Sequence, residues 1–286
     1  MDIIEVEVLT KSDIIDTVNP DILTEDNYFS AENNKKFMSV SRFKRYYMNC
    51  EFMAKAQDDG LYTPEKGESL IQGSYIDAWN NGEKALAKFV EQNHSTLISS
   101  RGETKGQLKA AYKKIGDCIS TLEKDPLCME YLSGQKQQIF TAKLFDVDWK
   151  VCLDNYKPEA NRFTDLKCMQ NFEWIWDQKE RRKVSFAQSY GYDIQMAIYR
   201  KIVGLSTGVY LDPYIVAVSK QDIPDKAIMS FELAELSAKL DEVEEYIERI
   251  IMISEGEREP RRCEKCEYCR MTKKLTENDI KHHAQL

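Results

Sequence analysis

The chain has 286 residues, 42% of them hydrophobic, and sets 40 basic against 48 acidic side chains for a net charge of −8. That length can bury one large core, and no run approaches the roughly 18–20 apolar residues of a membrane span. The acidic balance argues against a simple nucleic-acid coat or a polybasic membrane binder, while leaving room for an enzyme that grips a polyanion in one basic groove.

The opening MDIIEVEVLT is acidic where an export or organelle signal is basic, which predicts a cytoplasmic protein. Eight cysteines in such a chain point to reduced thiols or bound metal rather than a disulfide scaffold. Residues 1–35 lack sustained periodicity and read as an extended arm with a short strand at IIEVEVL. From Ser39, SVSRFKRYYMNCEFMAKAQ fits one helix, with Ser39 or Ser41 as cap and Cys50 late in it. A second helical stretch covers 65–92. A third runs from Gly106 to about Leu122, where Leu108, Tyr112, Ile115, Ile119 and Leu122 mark one face.

The middle of the chain then changes character. QQIFTAKLF, VDWKVCLD and RFTDLKCM are short and rich in β-branched and aromatic residues, with turn-like NYKPEAN between the last two. A helix around SYGYDIQMAIYRKIV follows, then a strand in GVYLDPYIVAVSK and a long acidic helix over about 231–253. This order predicts an α/β (α+β) fold with a central mixed sheet flanked by helices and helical elements at the N-terminal end. Residues 36–275 read as a single domain and 276–286 as a tail holding His282 and His283; His94 is the third histidine.

In VDWKVCLD, Val147, Trp149, Val151 and Leu153 alternate with Asp148, Lys150, Cys152 and Asp154, so one strand face is apolar and the other ends in a carboxylate. In FTDLKCM, Asp165 and Lys167 share a face and Leu166 points to the core. Pairing through the turn at Pro158 would bring Asp154 and Asp165 together with Lys167 beside them. Two carboxylates and the intervening Leu166 carbonyl make a hard-oxygen site suited to Mg²⁺ or Mn²⁺, and an ammonium there can assist water or stabilise charge on a phosphate. A D-x-K triplet alone is also an ordinary feature of solvated strands. Further on, YGYDIQMAIYR sets Gln195 and Tyr199 at i, i+4 on one helix face, with Tyr192 one turn earlier.

An Asp, a D-L-K triplet, a spacer and Q-x-x-x-Y in this order resemble the RecB-type branch of the PD-(D/E)XK nuclease superfamily, and within it the phage RecE-like exonucleases. The upstream GSYIDAW resembles the helix on which many members carry a metal-facing histidine; here Asp77 takes that place. The resemblance implies a restriction-endonuclease-like core and a metal-dependent DNA nuclease, an exonuclease acting in phage or prophage recombination or repair. Asp77, Asp154, Asp165 and Leu166 would hold Mg²⁺ or Mn²⁺, Lys167 would be the catalytic lysine, and Gln195 and Tyr199 would hold DNA or steady the site. It also implies DNA as partner, a single-strand annealing protein beside it, and room for a homo-oligomer. The strand KQQIFTAKLF would supply an amide from Gln138, or from Gln137 in the other register.

RRCEKCEYCR places Cys263, Cys266 and Cys269 three residues apart, one ligand short of a tetrahedral site. Cys118, Cys128, Cys152 and Cys168 read as small packing residues. Cys50, in RYYMNCEFMAKA, resembles the upstream cysteine of RecB-type nucleases with an iron–sulfur staple, such as AddB. That likeness implies a [4Fe–4S] cluster tying the ends of the domain together, but the C-x2-C-x2-C spacing departs from the staple's longer final gap and leaves Zn²⁺ open. Three free thiols with a buried Cys50 is the plain alternative. Basic residues cluster in NNKKFMSVSRFKRYY and in QKERRK, and acidic ones in ELAELSAKLDEVEEYIERI, a segregation compatible with a local positive groove. Two rival readings are a catalytically silent DNA-binding or assembly module and a zinc protein whose hairpin is only scaffold.

Overall fold

The computed structural model describes residues 23–65, 67–177 and 181–280. The expected strand IIEVEVL, His282 and His283, and residues 178–180 of the basic run lie outside them. In chain order the helices are α1 (Ala31–Lys36), α2 (Val40–Tyr47), α3 (Glu51–Asp58), α4 (Glu68–Asn80), α5 (Glu83–Gln92), α6 (His94–Leu97), α7 (Ala110–Glu123), α8 (Pro126–Tyr131), α9 (Phe186–Ser189), α10 (Tyr192–Thr207), α11 (Leu233–Glu255) and α12 (Glu267–Met271). The strands are β1 (Gln135–Leu144), β2 (Val147–Lys157), β3 (Arg162–Met169), β4 (Ile175–Asp177), β5 (Arg182–Val184), β6 (Asp212–Ser219) and β7 (Lys226–Ser230). They form two compact units, residues 1–39 with 66–241 and residues 40–65 with 242–286.

The first unit is built on a five-stranded sheet in the order β1-β2-β3-β6-β7. Every neighbouring pair is antiparallel except β3 and β6. A parallel pair needs a crossover, and α10 lies on it. Met196, Ala197 and Val203 of α10 cluster with Phe163, Ile215 and Ala217 of the sheet. Across the sheet, Ile76 of α4 and Ile115 and Leu122 of α7 cluster with Leu166, Val216 and Val218. The parallel register pairs Asp165 with Ile215, Leu166 with Val216 and Lys167 with Ala217. Strand alternation therefore sends Leu166 into the α4–α7 core and Asp165 and Lys167 to the α10 side.

Three local expectations change. Residues 31–35 of the expected extended arm are helical, within α1, with the Ser30 hydroxyl accepting the Asn33 N–H as an N-cap. The segment is held from below by Lys150, a β2 residue expected on a solvated face. Its buried ammonium instead donates to the Tyr28 carbonyl and, at 2.8 Å, to Asn34 Oδ1, and lies over the Tyr28 ring. The helical stretch over 65–92 breaks into α4 and α5 at Gly82, whose φ of +100° suits only glycine. The short ribbon β4–β5 and the edge strand β7 were not legible as strands.

The second unit contains α2, α3, α12 and the later part of α11. The single helix expected from Ser39 is two: α2 stops at Tyr47, and Cys50 is extended (φ −92°, ψ 116°) immediately before α3. Cys50 is thus not a late residue of the first helix. The Phe52 N–H turns away to the Arg261 carbonyl at 3.1 Å, a tertiary bond that competes with continuing the helix. Next to it the buried Glu51 carboxylate accepts from Arg249 at 2.7 and 2.6 Å, from the Arg261 N–H at 2.7 Å and from the Tyr246 hydroxyl. Burial pushes this carboxyl up, but the Arg249, Tyr246 and Arg261 donors win and hold it at about 2. A buried charge paired this completely fixes geometry.

Candidate functional site

Asp154, Asp165 and Lys167 converge where β2 and β3 separate. The Leu166 N–H donates to Asp154 Oδ2 at 2.9 Å, so Asp154 is fixed against the residue between the other two. Asp165 is 3% exposed. Its Oδ1 accepts from Gln195 Nε2 at 2.8 Å, and its Oδ2 meets the Lys167 ammonium as an ion pair. Gln195 and Tyr199 lie one turn apart on α10, with the Tyr199 ring 6.3 Å from that of Phe163. Lys167 also lies over the Tyr192 ring, 5.1 Å from its centre. Asp77 reaches this group from α4 and interacts electrostatically with both Asp165 and Lys167.

Two of these carboxyls, Asp154 and Asp77, are held above their ordinary range. Burial pushes the Asp154 carboxyl well above its usual range, and the Asp165 and Asp77 charges add to it. Burial likewise brings Asp77 to about 6, with Asp165 adding and Lys167 opposing. Burial alone would lower the Lys167 ammonium, but Asp165 and Asp154 outweigh it and hold the group above its normal value. The arrangement thus has more negative charge than its lysine offsets, and a hard-oxygen donor set, which fit a divalent cation.

The same repulsion predicts a stability effect in chelator. A carboxyl at about 6 when folded and 3.8 otherwise is destabilising once ionised. The penalty is absent below pH 4, grows as pH rises through 6, and reaches about 2–3 kcal/mol at pH 7. Asp77→Asn should therefore be more stable than wild type at pH 7 in EDTA and match it near pH 4, as read by urea unfolding. An Asn variant that is less stable at pH 7 in chelator would contradict the cluster's electrostatics.

The structure adds residues that the sequence did not single out. Lys136 of β1 donates to Asn80 Oδ1 at 2.9 Å, the Leu132 carbonyl at 2.6 Å and Asn155 Oδ1 at 2.5 Å. Asn80 is on the helix of Asp77, and Asn155 follows Asp154, so one ammonium ties together the elements presenting both acids. Of the two glutamines weighed on β1, Gln137 is the one turned towards the β2 side. It sits at φ +49° in a break of the β1–β2 register, donates to Asn81 Oδ1 at 3.1 Å and accepts from the Cys152 thiol at 3.2 Å. The Gln138 amide folds back to the Lys136 carbonyl.

In the second unit the Sγ atoms of Cys50, Cys263, Cys266 and Cys269 all lie within 4.8 Å of one another. Cys50 and Cys269 are 3.5 Å apart, and Cys263 and Cys269 4.0 Å. The Cys263 sulfur accepts the Lys265 and Cys266 N–H groups at 3.5 and 3.2 Å. Burial acts against its ionisation, but those backbone donors bring the thiol down to about 6. Four thiols clustered around one point are a donor set for a metal ion. Cys118 and Cys128 are buried in the α4–α7 core, as small packing residues are.

Comparison with known proteins agrees with this architecture. The family model described as a PDDEXK-like domain of unknown function (DUF3799) matches residues 39–272. The crystal structure of a candidate exonuclease from Eubacterium rectale is similar at 36% sequence identity, covering 89% of this chain and 94% of that one, with a TM-score of 0.82. No curated protein matches the chain. No helix among the described residues is long and apolar enough to cross a membrane. The five-stranded mixed sheet flanked by helices is the PD-(D/E)XK nuclease fold that the sequence resemblance implied, and the chain belongs to the DUF3799 family of PDDEXK-like domains within that superfamily.

Proposed function

We propose that the protein is a metal-dependent deoxyribonuclease, an exonuclease of the RecE-like type acting in phage or prophage recombination or repair. The observation that carries this reading is the convergence of Asp77, Asp154 and Asp165 on Lys167, with Asp154 fixed by the Leu166 N–H. Asp77, Asp154, Asp165 and the Leu166 carbonyl would hold Mg²⁺ or Mn²⁺, which supplies Lewis acidity towards water and the phosphodiester. Lys167, paired with Asp165 beside Asp154, would assist the attacking water or act on charge developing at the phosphate. Gln195 keeps Asp165 in one orientation through its 2.8 Å bond, and Tyr199 lines the α10 side. The candidate exonuclease from Eubacterium rectale supports the same direction of reading. Cys50, Cys263, Cys266 and Cys269 hold a structural metal, an AddB-like clasp within the nuclease domain. DNA is the substrate, and a single-strand annealing protein and further copies of the chain are the partners this type implies.

The alternative, a silent DNA-binding or assembly module, would tolerate loss of Asp154, Asp165 or Lys167, and all three are present in one place. Digestion separates the readings. With Mg²⁺ or Mn²⁺, linear DNA should be shortened from its ends, covalently closed circles should survive, and EDTA should stop the reaction. Circles cut as fast as linear DNA would overturn the exonuclease reading. No cleavage of any substrate with any divalent metal would leave the silent module.

A further inference from the structure

After β3 ends at Met169 the chain forms a ribbon, β4–β5, that the chemistry above does not use. In this ribbon Ile175 is opposite Val184, and Trp176 is opposite Lys183. Alternation sorts the side chains. Phe172 and Ile175 pack on the core that holds Met169, Phe186 and Tyr192, and Val184 is buried. Trp176, on the face of β4 opposite Ile175, is 54% exposed, and Trp174, immediately before the strand, is 63% exposed. Lys183, as the cross-strand partner of Trp176, shares the indole face and is exposed, and Arg181 lies just ahead of it.

This ribbon is seated on the same core as the site. Phe172 stacks on Phe186 with centroids 5.2 Å apart. From that core Tyr192 lies under Lys167 and stacks at 5.9 Å on the exposed ring of Tyr190. Two indoles two residues apart in the chain are both largely exposed, and large exposed apolar side chains of this kind mark a binding surface. Flat π faces combined with cations select a partner with flat π faces on a polyanionic backbone.

We propose that Trp174 and Trp176 form a stacking platform for the bases of single-stranded DNA next to the Lys167 site, with Lys183 and Arg181 on its phosphates. The choice of DNA rests on the nuclease reading above; the choice of an unpaired strand comes from the indoles, because a duplex interior offers them no open base face. The platform thus makes a single-stranded end the preferred substrate, or a duplex end after it has frayed.

The test uses the full chain as purified, in buffer without added Mg²⁺ or Mn²⁺ so that cleavage is stopped, and a dye-labelled oligothymidylate as probe. Wild type should bind it with quenching of tryptophan fluorescence. The double variant Trp174→Ala/Trp176→Ala should bind it at least about tenfold more weakly, since each base–aromatic stack is worth about that factor or more, with a smaller change on blunt duplex. Equal thermal melting of the two proteins guards against misfolding. Unchanged affinity in the double variant, or equal losses on oligothymidylate and duplex, would overturn the platform. So would a wild type that binds no oligothymidylate. A double variant altered only in its association state, or only in binding to anionic lipid vesicles, would assign the face to a second copy or a membrane and also overturn it. Indole-dependent binding by a wild type that hydrolyses no DNA keeps the platform and removes the nuclease reading; DNA hydrolysis with an unaltered double variant does the reverse.

Discussion

Asp165→Asn is expected to lower DNA hydrolysis by roughly three orders of magnitude while leaving the chain folded. The substitution keeps an oxygen for the Gln195 amide, which donates to Asp165 Oδ1 at 2.8 Å, and preserves the shape of a nearly inaccessible side chain. What it removes is the charge that faces Lys167 and adds to the potential at Asp154 and Asp77. Two consequences should appear together. Affinity for Mn²⁺ should fall, because one carboxylate of the donor set is gone. The Lys167 ammonium should also lose its main support against burial and titrate at lower pH than in wild type. Nucleotide release from linear DNA, run beside Mn²⁺ titration calorimetry, reads both. Activity within tenfold of wild type would remove Asp165 from the chemistry. Lys167→Met should match the loss in rate and leave Mn²⁺ affinity nearly intact, since a lysine supplies charge to the phosphate and no ligand to the cation.

The second large effect belongs to the cysteines. Tetrahedral Zn²⁺ with Zn–S bonds near 2.3 Å sets its sulfurs about 3.8 Å apart. The observed 3.5 and 4.0 Å separations, with all four thiols within 4.8 Å, bracket that value. A cubane places four irons and four sulfides among its thiolates and needs them further apart. We therefore expect one Zn²⁺ per chain in purified protein and no absorbance near the ~400 nm region of iron–sulfur clusters; a brown protein with that band would instead establish the cluster implied by the staple resemblance. With either metal, Cys269→Ala should abolish binding and destabilise the second unit by several kcal/mol, because metal binding there is also folding free energy. A variant that melts at the wild-type temperature with its metal intact would show that the four thiols are not a metal site.

How much of this was legible in the sequence follows the range of the forces involved. The alternation through Asp154, Asp165 and Lys167 is a local property of strands, and one turn of helix relates Gln195 to Tyr199, so spacing alone brings each pair to one face. The break at Cys50 was not legible. Helical periodicity runs through it, and what stops the helix is a bond to the distant Arg261 carbonyl. Lys136 escaped for the same reason: its role exists only once β1, α4, α8 and β2 are assembled around its ammonium. Gln137 needed the backbone kink at φ +49°, which no side-chain pattern announces. Strands of three residues, such as β4 and β5, are too short for alternation to register.

The composition of the second unit carries a consequence for how the chain is made. Its pieces are residues 40–65 and 242–286, with the whole sheet encoded between them. On the ribosome, α2 and α3 emerge early, but Glu51 has to wait for Arg249 and Arg261, and Cys50 for Cys263, Cys266 and Cys269. A domain is synthesised at roughly 5–20 residues per second, so this thiol and this carboxylate stay unpartnered for on the order of 10–40 s. Assembly of the four-cysteine cluster therefore cannot precede synthesis of Cys269, and a chain stalled before Arg249 carries an intact set of sheet residues together with an acid, Glu51, that has no guanidinium to pair with it.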